Sequence, residues 1–124
     1  MEYAYNDWCI ARLAEEIGDT ATYERYKALS KSYINYYDPQ TGFMRGKNLK
    51  GNWHVPFNPR YSDHRNDDYC EGTAWQWAWF VPHDIEGLIA LMGGQENFIQ
   101  RLDSLFVADS KIEGPLVSSD ISGL

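Results

Sequence analysis

Apolar residues recur with helical spacing in four stretches of the chain. The first, about residues 2–17, predicts a helix with one apolar stripe at i, i+3, i+4 and i+7: Ile10, Leu13, Ala14 and Ile17. Gly18 ends this helix, and Asp19 or Thr20 caps a second one that runs to about Tyr37. The stripe of the second helix consists of Tyr26, Leu29, Tyr33 and Tyr37. Two helices joined by so short a turn predict an antiparallel hairpin.

Two further helical stretches lie in the second half of the chain. Asp84 caps the first of them, which Gly93 and Gly94 close, and the other spans about residues 95–107. The apolar positions of the first are Ile85, Leu88, Ile89 and Met92. The last helix directs its own apolar positions inward: Phe98, Leu102, Leu105 and Phe106.

A long connection, residues 38–70, separates these halves and has no clear periodicity. Its aromatic residues Trp53 and Phe57 predict a loop that is docked on the protein, because disordered segments are poor in aromatic residues. Residues 72–80 form a short helix or an aromatic-rich turn, which Pro82 interrupts. No strand-type alternation stands out. The predicted fold class is therefore all-α, with helical hairpins and one long irregular loop.

Composition narrows the classes of function. With 124 residues the chain is one domain or part of one, and its net charge of −7 argues against a nucleic-acid partner. No apolar run is long enough to cross a bilayer, and the first residues lack the features of a signal peptide. Cys9 and Cys70 lack C-x-x-C spacing, and the position of Cys9 on an apolar stripe favours a buried thiol over a disulfide.

The densest chemistry lies between residues 69 and 84, where Glu71 precedes a glycine and three tryptophans. Flat aromatic faces can cover the C–H surface of a sugar, and an apolar wall favours the protonated form of a carboxylic acid. The alternative is that the tryptophans belong to the core and that Glu71 is an acid favoured by a helix N-terminus. The pattern therefore allows a carbohydrate site beside a plain core interpretation.

Several blocks of the chain resemble one enzyme family. The motif E-G-T-A-W-Q-W at residues 71–77, followed by W-F-V-P-H-D at 79–84, is similar to the acid-bearing motif E-G-N-A-W-Q-Y and W-F-V-P-H-D of glycoside hydrolase family 92. E-Y-A-Y-N-D-W-C-I-A at 2–11, G-F-M-R-G at 42–46, P-F-N-P at 56–59, L-M-G-G at 91–94 and D-I-S-G-L at 120–124 resemble further family signatures, in the family's order. Thr73 and Asn58 depart from the asparagine and aspartate that are usual there.

The resemblance implies a fold and an activity. The family consists of exo-acting, inverting, calcium-dependent α-mannosidases with an (α/α)6 barrel catalytic domain, of which residues 1–124 are expected to form a part. Glu71 would be the general acid, and Arg45, Trp75, His83 and Asp84 would contact the substrate, a mannose-containing glycan. Residue-level alternatives remain open, because His83 can equally satisfy a backbone carbonyl and Arg45 can pack over an aromatic ring or bridge to Glu71.

Other parts of the family's machinery have no match in the chain. The block that carries the family's general base is absent, and there is no calcium-loop pattern, so the chain alone is expected to be inactive and to hold no metal. His54 and His64 are assigned to the loop surface, and Asp63, Asp67 and Asp68 to a solvated loop.

Two rival functions stay open, namely a helical-hairpin scaffold without catalysis and a sugar-binding remnant. The parent is expected to be an exported bacterial enzyme that is secreted, periplasmic or on the cell surface. The chain would form only an arc of the barrel, so apolar flanks of its hairpins would lack their neighbouring helices. These uncovered flanks are expected to promote self-association.

Overall fold

The structure is a computed structural model that describes residues 1–63 and 66–114. The helices are α1 (Glu2–Glu16), α2 (Thr20–Leu29), α3 (Ala74–Trp77), α4 (Ile85–Leu91) and α5 (Gln95–Val107), with a 3-10 helix at Ser32–Tyr36. Two short strands, β1 (Tyr37–Asp38) and β2 (Phe43–Met44), follow the 3-10 helix. In this part of the chain, no helix has the length and apolar character needed to cross a membrane.

The predicted hairpin of α1 and α2 is present, and its turn forms as the sequence indicates. Gly18 has a positive φ of 77°, and Asp19 caps α2 by accepting a hydrogen bond from the Thr22 backbone at 3.1 Å. The second helix ends at Leu29 rather than near Tyr37. There the Ser30 hydroxyl donates to the Lys27 carbonyl, a local bond that competes with helix continuation.

The predicted burial of α1 is largely wrong. Small side chains face its neighbours, namely Ala4, Ala11 and Ala14. Of the predicted stripe only Ala14 is buried, whereas Leu13 is 64% and Ile17 71% exposed. Cys9 is also exposed, which corrects the expectation of a buried thiol. Alanines allow close helix approach, and the large apolar residues are left on the outer face.

The all-α prediction needs a correction, because β1 and β2 form a small antiparallel sheet. Tyr37 is opposite Met44, and Asp38 is opposite Phe43. Strands of two residues are too short to produce a visible alternation in the sequence. The chain is helix-rich with one two-stranded sheet.

The core lies where α1, the 3-10 helix, the sheet and α4 meet. Its buried cluster comprises Ala4, Tyr33, Met44, Val81, Leu88 and Met92. A second cluster of Phe43, Ala74 and Ala78 attaches α3 to the sheet. Of the α4 stripe, Leu88 and Met92 are buried as predicted, but Ile85 is exposed.

Helix α5 is covered on one side only. The predicted inward residue Phe98 packs edge-on against Trp79 at 5.6 Å between ring centroids. Phe106, also predicted inward, is 80% exposed. Ile99 and Val107 are exposed as well. The outer faces of α1 and α5 are thus two apolar surfaces without cover among the described residues.

The long connection is docked, as its aromatic residues predicted. The Arg45 guanidinium lies 4.3 Å from the Phe57 ring centroid, and the Lys47 ammonium 3.9 Å from that of Trp53. Lys47 and Trp53 also form a β-bridge. His64 and the segment at 120–124 lie outside the described residues.

Candidate functional site

A tight turn places Glu71 immediately before α3. Its φ of +50° is the one positive φ outside glycine among the described residues, a conformation that costs a side-chain-bearing residue free energy and often occurs at functional sites. Two hydrogen bonds hold the turn. The Thr73 backbone donates to Gln76 Oε1 at 2.9 Å, and the Trp77 indole Nε1 donates to the Cys70 carbonyl at 2.9 Å. The backbone around Glu71 is therefore fixed on both sides.

Two cavities flank this turn. The acid cavity, of about 370 Å³, is lined by Glu2, Cys70, Glu71, Gln76, Trp77 and Phe80. The sheet cavity, of about 330 Å³, is lined by Met1, Glu2, Tyr3, Tyr36, Met44, Arg45, Gly46, Asp68, Tyr69, Cys70 and Trp77. Glu2, Cys70 and Trp77 line both cavities, so these three residues separate or border the two cavities beside Glu71.

Glu71 itself is exposed. The expectation that indole rings dehydrate it is therefore not met within the described part of the chain. Trp75, the tryptophan expected beside the acid, packs edge-on against Phe43 at 5.1 Å and joins the second core cluster. Trp77 occupies the place next to Glu71 instead.

Arg45 is buried, and its guanidinium pairs with Asp38 rather than with Glu71. Nη1 donates to Asp38 Oδ2 at 2.7 Å, and Nη2 donates to the His54 carbonyl at 2.6 Å. Burial raises the pKa of Asp38, but hydrogen bonds from Arg45, the Gln40 backbone and Thr41 outweigh it, so the pKa lies below its ordinary value. Arg45 lines the sheet cavity, but its charge is paired with Asp38 and stabilises the fold.

His83 and Asp84 lie apart from the two cavities beside Glu71. They line a separate cavity of about 210 Å³ together with Trp8, Ala11, Arg12, Tyr23, Lys27, Ser30 and Lys31. His83 Nε2 lies 2.9 Å from the Ser30 carbonyl oxygen, an acceptor only, so Nε2 carries the proton and donates. Of the two roles considered for His83, this chain displays the backbone contact.

The carboxylate of Asp84 joins α4 to the 3-10 helix and to the turn that precedes it. Oδ1 accepts from the Gly87 backbone at 3.2 Å and caps α4 as predicted, and Oδ2 accepts from Lys31 Nζ at 2.5 Å and from the Tyr33 hydroxyl. Burial raises the pKa of Asp84, but the hydrogen bonds from Lys31 and Tyr33 and the lysine charge lower it below its ordinary value.

The lowered pKa values of Asp38 and Asp84 predict a loss of stability in acid. A carboxyl whose pKa is lowered by folding contributes stability that is complete above its unfolded pKa, about 3.9, and is lost as the pH falls through the lower folded pKa. We expect the free energy of unfolding, measured with urea at a series of pH values, to decline mainly below about pH 4. Asp84→Asn keeps a capping oxygen but cannot ionise, so it should be less stable at neutral pH and show a smaller decline. An unchanged pH dependence in this variant would contradict the assignment.

The position of Asp68 explains why the last residue of the G-F-M-R-G motif is a glycine. A Cβ at Gly46 would overlap the Asp68 carboxyl group, which lies beside the sheet cavity. Asp68 Oδ1 is 2.7 Å from His54 Nδ1, an ion pair when the histidine is protonated. Asp67 accepts from the Asp63 and Tyr69 backbone amides at 2.6 and 2.9 Å. Asp63 is buried, which corrects its assignment to a solvated loop, whereas Asp68 is exposed as predicted.

Sequence reasoning missed Trp77, Glu2 and Asp68 as residues that line the cavities beside Glu71. For Trp77 a signal was available. Trp75 and Trp79 are four residues apart and share one helical face, whereas Trp77 lies about 200° around the axis from Trp75. Glu2 and Asp68 lie far apart in the sequence, and only the fold brings them both to the sheet cavity. In the described residues, no group of three His, Cys, Asp or Glu side chains could hold a metal ion.

Comparisons with known proteins agree with one another. The sequence model of the Glycosyl hydrolase family 92 catalytic domain matches residues 1–122. An uncharacterized secreted glycosidase of Arthroderma benhamiae is 31% identical over 134 aligned positions, which cover 90% of this chain and 17% of that protein.

Solved structures match as well. A family GH92 α-mannosidase of Bacteroides thetaiotaomicron, in complex with mannoimidazole, is 38% identical with a TM-score of 0.82, over 90% of this chain and 15% of that one. A family GH92 inverting mannosidase of the same species is 39% identical with a TM-score of 0.77, over 98% of this chain and 15% of that one. The chain thus spans only about a sixth of the length of these relatives.

Fold, acid-bearing turn and matches together define the chain as glycoside hydrolase catalytic-domain sequence. It belongs to glycoside hydrolase family 92, since the family model matches nearly all of its residues.

Proposed function

We propose that this chain supplies the acid-bearing part of the catalytic domain of an exo-acting, inverting α-mannosidase. The observation that carries the proposal is the position of Glu71. This carboxylic acid lies in a strained turn, inside the motif that matches the family, and lines a cavity with an aromatic wall. The substrate is a mannose-containing glycan, in keeping with the mannosidase activity named for the solved relatives.

Glu71 donates a proton to the departing glycosidic oxygen in this proposal. Inversion requires a second carboxylate on the opposite face of the sugar, about 6.5–9.5 Å away, to activate water. No family motif assigns that role to a carboxylate of this chain, so the base comes from residues beyond the matched segment. In this proposal the same residues also cover the Glu71 side chain, which is exposed in this chain.

A chimera tests the proposal. The segment of the solved Bacteroides α-mannosidase that matches this chain is replaced by residues 1–124, and hydrolysis of α-mannosides is followed with the anomer of released mannose by NMR. We expect turnover with β-mannose as the first product, and no turnover by the 124-residue chain alone. A folded chimera without turnover would overturn the proposal, and release of α-mannose first would remove the inverting mechanism.

Calcium is the cofactor expected from the family resemblance, and in the described residues no group of three His, Cys, Asp or Glu side chains could hold a metal ion. Six to eight oxygen ligands are needed, whereas Asp67 already accepts from backbone amides and Asp68 already contacts His54. We therefore propose that the ion of the complete enzyme takes its ligands from elsewhere. Calorimetric titration of the chain with calcium chloride should give no binding heat, and saturable binding would contradict this.

The uncovered faces of α1 and α5 support the proposal that the chain forms one arc of an (α/α)6 barrel. Leu13 and Ile17 on α1 and Phe106 on α5 would contact neighbouring helices of that barrel. In the isolated chain these faces promote self-association. Light scattering at rising concentration should give a mass above the 14.4 kDa of one chain, and Leu13→Glu should reduce it. A constant monomer mass would contradict this prediction.

Export of the complete enzyme is proposed from the curated relative, which is named as a secreted glycosidase. An extracellular mannosidase would meet its glycans outside the cell.

A further inference from the structure

Of the three tryptophans in the acid motif, only Trp77 lines the acid cavity and the sheet cavity. We propose that Trp77 is the aromatic platform on which the pyranose ring of the substrate rests beside Glu71. This inference rests on the proposed function and adds to it the residue that recognises the sugar.

The orientation of Trp77 is fixed before any ligand arrives. Its Nε1 donates to the Cys70 carbonyl at 2.9 Å, and its ring meets Phe80 edge-on, with 5.3 Å between centroids and 61° between planes. Cys70 adjoins Glu71 in the chain and Phe80 lines the acid cavity with it, so the ring is held in a fixed position next to the turn that carries the acid. Rigid aromatic contacts lose little conformational entropy on binding.

Gly72 brings the ring against the turn. A Cβ at this position would lie 3.0 Å from Trp77 Nε1 and 3.1 Å from Cδ1, closer than ordinary van der Waals contact. The indole therefore rests on the backbone that directly follows Glu71. A larger residue at position 72 would require the ring or the Gln76 side chain to shift by a few tenths of an ångström.

The chemistry of the exposed part of the indole selects the kind of contact. The one donor of tryptophan is bonded to Cys70, so the ring offers its π face and no hydrogen bond. The negative potential of that face attracts the slightly positive C–H groups of a pyranose. Trp77 consequently recognises the apolar C–H surface of the sugar, and hydroxyl recognition falls to other residues.

The other two tryptophans are poor candidates for this role. Trp75 packs edge-on against Phe43 and Trp79 against Phe98, and both adjoin the core clusters. Their Nε1 atoms are buried and have no hydrogen-bond partner among the described residues. Both rings stabilise the fold, and their replacement should lower stability before it affects sugar binding.

Indole NMR on the 124-residue chain tests the proposal. The chain has five tryptophans, whose Nε1–H signals can be assigned from single Trp→Phe variants. During titration with methyl α-mannoside we expect the Trp77 signal to shift, while those of Trp75 and Trp79 remain in place. Trp77→Ala should weaken binding about tenfold, and Trp77→Tyr, which restores the residue of the family motif, should retain most of it. Trp53→Phe serves as the matched control on the loop.

The outcomes separate this inference from the proposed function. A saturable shift of another indole with Trp77 unaffected overturns the platform role but leaves the sugar site. If no indole shifts, the platform role is overturned, and turnover by the chimera reports independently on the acid. Thermal unfolding by circular dichroism identifies any variant that fails to fold. If Trp77→Ala does not fold, Trp77→Leu, which fills the space without a ring, replaces it. Tighter binding by Trp77→Phe and Trp77→Tyr than by Trp77→Leu is expected only for a platform, and equal binding by all three overturns it.

Discussion

Glu71→Gln in the chimera should lower kcat on mannosides with ordinary sugar leaving groups by about 10²–10⁴-fold. An amide has nearly the same shape as the acid but cannot give up a proton to the glycosidic oxygen. An activated leaving group such as dinitrophenolate departs without protonation. Mannosides that carry one should therefore be hydrolysed at nearly the original rate. The measurement is kcat for both substrate types in the same preparation.

The contrast between substrates carries the test. An equal loss on both would show that Glu71 supports the fold or binds the sugar rather than donating the proton. Glu96→Gln, which changes an acid of the first turn of α5, is the matched control and should leave both rates unchanged.

Asp38→Ala should reduce the free energy of unfolding by about 3–5 kcal/mol, because it leaves the guanidinium of Arg45 buried without its counter-charge. Both side chains are nearly inaccessible, with 9% exposure for Arg45 and 2% for Asp38. Asp38 also accepts from the Gln40 backbone at 3.0 Å and from Thr41 at 3.0 Å, so the hairpin turn loses these bonds too. Urea denaturation of the chain at neutral pH measures the effect.

A second ion pair of the chain provides the control. Arg12 and Glu15 are both exposed on α1, so Glu15→Ala should cost at most about 1 kcal/mol. In the Asp38→Ala background, Arg45→Met removes the unpaired charge and should recover part of the loss. A cost for Asp38→Ala no larger than that for Glu15→Ala would show that the pair contributes little.

The chain's local patterns predicted the presence of its helices, although the second helix ends at Leu29 and not near Tyr37. Capping by Asp19 and Asp84 and the stop at Gly18 depend on residues within one helical turn, so the sequence alone reveals them. Burial was predicted less well. On α1 the hydrophobic stripe suggested large residues inward, but the neighbouring helix approaches the alanine face, and a pattern on one helix does not state which partner it meets.

The acid motif shows the same division between local and distant information. The sequence revealed the family and indicated Glu71 as the candidate acid, since a contiguous motif keeps its residues together in any fold. It favoured Trp75 beside the acid, and the positions of Arg45, His83 and Asp84 could not be read from it. Their contacts with Asp38, Ser30 and Lys31 join residues that are distant in the chain.

What the sequence by itself determined is the helical framework, the acid-bearing turn and membership of family 92, because each depends on residues close together or on blocks in a fixed order. Only the tertiary structure decided that Trp77 and Glu2 accompany Glu71 and that Arg45 is committed to Asp38. The physical reason is that side-chain direction and burial are set by packing between distant segments, whose free energy no single stretch of sequence contains.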